Sequence, residues 1–185
     1  MAKGRPSKKQ LILDTAQGLF ALHGYQGTAI DLVVREAGVS KPTVYNNFPS
    51  KQALLQSLIS RQIECIAVRQ HSLVNSNDSV SDKLYTLFQQ IVEHPFELAL
   101  YKIYYGESYK LDAATLDLFQ QIEQITEKNC RIILSTLSQN EIKIAAIIAI
   151  YKNATLINTL SAKNCASKDE LNASIQVLGI ISDFS

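Results

Sequence analysis

Cysteine is scarce in this chain of 185 residues. Cys65, Cys130 and Cys165 are odd in number and far apart, with no C-x-x-C pair. They read as reduced thiols, which argues against a disulfide-stapled secreted domain. His23, His71 and His94 show no metal-ligand spacing, so no metal and no cofactor is expected. No charge-free apolar run approaches the ~18 residues needed to cross a bilayer. Asp14 and Gln17 interrupt the stretch that follows the basic first residues, so no signal peptide is expected. The expected location is cytoplasmic. No repeat occurs, and there is almost no strand signal. No nucleophile–base pair or phosphate-cradling glycine loop supports catalysis, so an enzyme is not expected.

Net charge is also low, at +1. Its distribution is uneven. Residues 1–61 carry eight Lys or Arg against three acids, and the remainder carries ten against fourteen. A basic head on an acidic body fits a chain that meets a polyanion at one end. The first residues, Ala2-Lys3-Gly4-Arg5-Pro6, form a short basic arm. Two readings of it stand: an arginine for a narrow minor groove, or an unstructured start that aids solubility.

The most informative stretch is Thr28 to Lys51, TAIDLVVREAGVSKPTVYNNFPSK. Thr28 with Asp31 three residues on fits a capping box, which predicts a helix start. Ile30, Val33, Val34 and Ala37 recur with the spacing of one buried helical face. Gly38 fits a left-handed C-cap. Ser40 is a second N-cap, with Pro42 in the first turn. Val44 and Phe48 anchor the short second helix inward. Lys41, Thr43, Tyr45, Asn46 and Asn47 are left facing outward. Ser50 caps the next helix. This layout is a helix-turn-helix over residues 29–48, whose second helix can enter a DNA major groove. Lysine reaches guanine or phosphate, asparagine pairs with adenine, and a threonine methyl touches a thymine methyl. The competing reading is a solvated helical face on an ordinary bundle.

Gly24-Tyr25, Thr28, Ala37-Gly38-Val39-Ser40, Thr43-Val44-Tyr45, Phe48 and Ser50-Lys51 resemble the TetR family of bacterial repressors. The match covers residues 8–68. Departures are mild: Val33-Val34 for a frequent Ile-Ala, Pro42 for a common Gly, and Asn47 for a frequent His or Tyr. The resemblance implies a homodimer bound to double-stranded DNA. By position, Thr28 should meet a phosphate. Lys41, Pro42, Thr43 and Asn46 fall where the family reads base edges. Tyr45, Asn47 and Lys51 fall where it grips phosphates, with help from Ser40.

The remaining chain reads as helices. Helix 1 is expected from Lys8 to His23, ended by Gly24. Helix 4 starts near Lys51 and runs past Arg69. A loop follows at Asn75 to Ser81. Helix 5 carries Leu84, Leu87, Phe88 and Ile91 and stops before Pro95. A short helix spans Phe96 to Tyr105 and is ended by Gly106. Asp112 caps helix 7, Asn140 caps helix 8, and Ser167 with Glu170 boxes helix 9. Helix 8 shows an apolar stripe at Ile142, Ala145, Ala146 and Ala149, joined by Ile144, Ile147, Ile148 and Ile150, so its start is apolar almost all round and must be covered on every side. The last two helices, about residues 140–162 and 168–183, are therefore the expected dimer interface. The alternative is a central helix of a monomer. Phe96, Tyr101, Tyr104, Tyr105 and Tyr109 combine rings with hydroxyl tips, which suits a small-molecule pocket, whereas a tyrosine-rich short helix is more often core or rim packing.

The expected fold is all-α, with about nine helices. Residues 1–7 form the arm. Residues 8–68 form a three-helix DNA-binding domain. Residues 69–185 form a helical ligand-binding and dimerisation domain. The expected function is a homodimeric transcriptional repressor that binds a near-palindromic operator and is released by a small-molecule effector. The alternative is a nucleoid-associated or cell-division regulator that acts through protein partners.

Overall fold

The hydroxyl of Ser7 starts the first helix by accepting the Gln10 amide at 3.1 Å. From there the computed structural model, which describes residues 7–177, is helical throughout, with no strand among the described residues. The elements are α1 (Lys8–Gly27), α2 (Ile30–Ala37), α3 (Lys41–Asn47), α4 (Lys51–Val74), α5 (Val80–Glu93) and α6 (Pro95–Glu107). A 3₁₀ turn (Ser108–Lys110) leads to α7 (Ala113–Leu134) and α8 (Glu141–Lys152). A π turn (Asn153–Ile157) carries α8 without a break into α9 (Asn158–Leu160), and α10 (Lys168–Val177) follows. Because α8 to α9 is one rod, the described residues hold nine helical rods. The expected basic arm at residues 2–6 lies outside the described residues, as does the expected end of the last helix, residues 178–183.

The chain divides into two compact units, Met1–Ile63 with Pro95–Gln120, and Glu64–His94 with Gln121–Ser185. In the first unit, α6 packs against α1. Its core holds Ile12, Ala16, Phe20, Val33, Val44, Phe48, Leu54, Leu58, Leu100, Ile103 and Phe119. Each large side chain buried this fully contributes about 1.5–3 kcal/mol. In the second unit, α5, α8 and α10 pack together around Leu84, Leu87, Phe88, Ile144, Ile147, Tyr151, Leu171 and Ile175.

Several helix starts follow from local signals. Ser50 Oγ accepts the Ala53 amide at 3.0 Å. Asp112 Oδ1 accepts the Thr115 hydroxyl at 2.6 Å and the Thr115 amide at 2.8 Å, and these bonds hold its carboxyl below the usual range. Asn140 Oδ1 accepts the amides of Ile142 and Lys143. Ser167 and Glu170 cap each other reciprocally, at 2.8 and 3.3 Å.

Two expectations are corrected. Helix 1 does not simply end at Gly24: the chain kinks there, at φ 68° and ψ −172°, and makes one more turn to Gly27. Gly106 does not end α6, which runs through it to Glu107. On α8 the buried face is Ile144, Ile147 and Tyr151, whereas Ala145 and Ala149 are exposed and Ile142 is 80% exposed. Among the described residues, no helix is long and apolar enough to cross a membrane.

Candidate nucleic-acid interface

The turn between α2 and α3 fixes the geometry of the exposed helix. Gly38 sits in the left-handed region at φ 62° and ψ 33°. Its N–H donates to the Arg35 carbonyl and that of Val39 to the Val34 carbonyl, closing two of the four free carbonyls at the end of α2. A Cβ at Gly38 would meet nothing within 4 Å, so backbone conformation alone demands glycine. Ser40 then starts α3 by accepting the Thr43 amide at 3.3 Å, with Pro42 in the first turn. Val44 and Phe48 are buried beneath α3, as their spacing of four requires.

What remains outside is Lys41, Pro42, Tyr45 and Asn46, all exposed, with Thr43 and Asn47 half-buried. Tyr45 is 43% exposed despite its ring. The Ser40 and Thr43 hydroxyls bond to each other at 2.8 Å. Asn47 Nδ2 donates to the Thr43 carbonyl at 2.8 Å, so that amide is tied to its own helix. Lys41 Nζ lies 2.7 Å from Asp31 Oδ1, and this partner raises the lysine's pKa.

Lys51 is held from behind the helix. Its Nζ donates to the Tyr25 carbonyl at 2.8 Å and lies 4.2 Å from the centre of the Tyr25 ring. Burial lowers its pKa, and Lys110 adds to that against the opposing pull of Glu107. The same turn is secured from the other side. Glu107, at the end of α6, accepts the Tyr25 amide at 3.0 Å and the Gln26 amide at 2.8 Å. Lys110 bonds to Gln26. The two polar clamps meet at the α1–α2 turn that positions α2, and α2 positions α3.

Nine residues were expected at this surface. Ser40, Lys41, Pro42, Thr43, Tyr45, Asn46 and Asn47 are gathered on or beside α3. Lys51 stands at the start of α4, with its ammonium engaged. Thr28 is corrected. It is fully buried, and its Oγ1 donates to the Gly24 carbonyl at 2.8 Å. It ends α1 rather than starting α2, whose N-cap is Ala29 with no side-chain bond. The kink at Gly24 moves the chain on by one turn, which takes Thr28 out of the cap position its sequence suggested. Asp31, read as its capping partner, turns to Lys41. Glu107 was missed because it lies 82 residues from the amide it caps.

The five aromatic residues expected at a pocket are placed differently from one another. Phe96 and Tyr101 are buried, and Tyr104 stacks on Phe119 with centroids 5.1 Å apart. Tyr105 is 49% exposed and Tyr109 is 78% exposed. Two open clefts, of about 460 and 490 Å³, are lined by residues of α7, α8 and the turn between them, and by residues of α8, the π turn and α9.

Residues 12–58 match the model of a family described as bacterial regulatory proteins, tetR family. An uncharacterised helix-turn-helix regulator of Bacillus subtilis, YuxN, is 29% identical over 125 residues, covering 65% of this chain and 40% of that protein. The repressor ComR of Escherichia coli is 31% identical over 93 residues, covering 49% and 44%. The match thus spans less than half the length of both relatives. A TetR transcriptional regulator from Legionella pneumophila superposes with a TM-score of 0.73 at 16% identity, over 95% of this chain and 97% of that one, which shows a shared fold.

Proposed function

The chain belongs to the TetR family of bacterial regulatory proteins, and from that membership we propose that it is a homodimeric transcriptional repressor that reads a near-palindromic operator. The observation that carries the reading is α3. A short capped helix, anchored by Val44 and Phe48, presents Lys41, Pro42, Tyr45 and Asn46 to solvent, with Thr43 half-buried beside them. These groups suit both jobs at a duplex. The Tyr45 hydroxyl and the free amides at the start of α4 donate to phosphates, while Lys41, Thr43 and Asn46 address base edges. Lys51 contributes by holding Tyr25, and through it the α1–α2 turn, with any phosphate contact second to that.

The partner subunit would sit on the outer face of α8. Ile142, Ala145 and Ala149 form an apolar strip exposed within one chain, and burying that strip favours a second copy. Two α3 helices related by a two-fold axis would enter successive major grooves about 34–36 Å apart. Release would follow from a small molecule that binds one of two arrangements of the pair more tightly. Phe96, Tyr101, Tyr104, Tyr105 and Tyr109 remain the proposed ligand-facing group. Of these, Tyr104, half-buried and stacked, is best placed to combine an apolar wall with a hydroxyl.

Hydroxyl-radical footprinting on a bound duplex tests the reading. Two protected patches on one face of the DNA, one helical turn apart, are expected. A single patch, or uniform protection without register, would refute the dimeric reader.

A further inference from the structure

The exposed surface of α3 carries one lysine, and that lysine already has an acid partner. Lys41 Nζ and Asp31 Oδ1 are 2.7 Å apart, and both side chains are more than half exposed. Asp31 sits in the first turn of α2, where the helix dipole favours a carboxylate, and the short turn at Gly38 brings α3 alongside. No side-chain cap bond holds the N-terminus of α2, so Asp31 is not spent there. Arg35 on the same helix is likewise paired, to Glu36 at 3.0 Å. A surface meant only to attract phosphate would not place carboxylates against its own cations.

We propose that Asp31 is a specificity determinant: it competes with DNA for the Lys41 ammonium and so withholds that charge from bulk, non-operator DNA. This rests on the DNA-binding reading of α3. Sequence-independent affinity comes mostly from cations that neutralise phosphates and release counterions. A lysine that keeps its carboxylate partner gains little by exchanging it for a phosphate. A guanine edge in the right register offers two acceptors at a fixed place, and there the exchange is favourable. The result is a lower background on random sequence and a larger ratio between operator and background.

The test compares wild type, Asp31→Asn, Lys41→Ala and the double variant on a random-sequence duplex and on an operator recovered by selection, across a salt series. Both side chains are exposed, so the fold should survive; circular dichroism checks this. Asp31→Asn should bind random duplex about fivefold tighter, with a log-affinity against log-salt slope steeper by about 0.9, one added phosphate contact. Its operator affinity should rise less, so the specificity ratio falls. In the Lys41→Ala background, Asp31→Asn should change neither the slope nor the ratio. An equal gain with and without Lys41 would mean a generic charge effect and would overturn the proposal. So would an unchanged or weaker random-duplex affinity for Asp31→Asn. Wild type that binds neither duplex would instead sink the DNA-binding reading itself.

Discussion

Gly24 and Glu107 should be energetically coupled, and a double-mutant cycle measures by how much. Gly24 occupies φ 68° and ψ −172°, a region open almost only to glycine. Alanine there costs about 2 kcal/mol in backbone strain. Its Cβ would also lie 2.8 Å from Glu107 Oε1. That oxygen accepts the Tyr25 amide, so the carboxylate must swing away and give up the bond. A hydrogen bond to a charged group that is only 21% exposed is worth about 2 kcal/mol. Gly24→Ala alone should therefore cost about 4 kcal/mol, the strain and the lost bond together.

Glu107→Ala removes both amide bonds. The Gln26 amide is exposed and finds water, so the loss is dominated by Tyr25, at about 2–3 kcal/mol. In that background Gly24→Ala meets no carboxylate and should cost only the strain, about 2 kcal/mol. The double variant should then lose about 2 kcal/mol less than the sum of the single losses. Urea unfolding followed by circular dichroism gives each value, with equal denaturant slopes as the check on comparability. Additivity within about 0.5 kcal/mol would refute the contact as the link between α6 and the α1–α2 turn.

Tyr151 is fully buried, and burial pushes its phenol up to about 12 from an ordinary value near 10. Its folded pKa lies above its unfolded one, so its contribution is intact below pH 10. It is lost as pH climbs from 10 to 12, about 3 kcal/mol in all. Tyr151→Phe should flatten the stability profile in that window, and an unchanged slope would contradict the assignment. Ala162 ends α9 in the left-handed region at φ 55°. Ala162→Gly should raise unfolding stability by about 1 kcal/mol, and a loss would show that the conformation is not strained. Ile142→Lys should convert a dimer to a folded monomer by sedimentation velocity. A persistent dimer would place the interface elsewhere.

What the sequence made legible was local. Ser40, Ser50, Asp112, Asn140 and the Ser167–Glu170 box are signals spanning three or four residues, and each starts the helix it was expected to start. Val44 and Phe48 lie inward for the same reason, since one turn of helix sets their relation. Thr28 fails this logic. It carries a cap signal as good as the others, but a left-handed glycine four residues earlier alters the path, and Glu107 stabilises that path from 82 residues away. No window on the sequence contains both. Helix α8 left its buried face open. When Ile142, Ile144, Ile147, Ile148 and Ile150 crowd one helix, periodicity cannot select the buried face. The neighbours in space choose Ile144, Ile147 and Tyr151. Tyr109 lies past the end of α6, in the 3₁₀ turn, so it does not share a helical face with Tyr101, Tyr104 and Tyr105.

The most direct test of the central claim is selection from a pool of random duplexes with the full chain, beside Tyr45→Ala. Tyr45 is 43% exposed, so its removal should spare the fold. The account predicts an enriched near-palindrome, bound with strong salt dependence and lost in the variant. Salt-dependent binding with no enriched sequence, or an enriched sequence that Tyr45→Ala binds as well as wild type does, would contradict it.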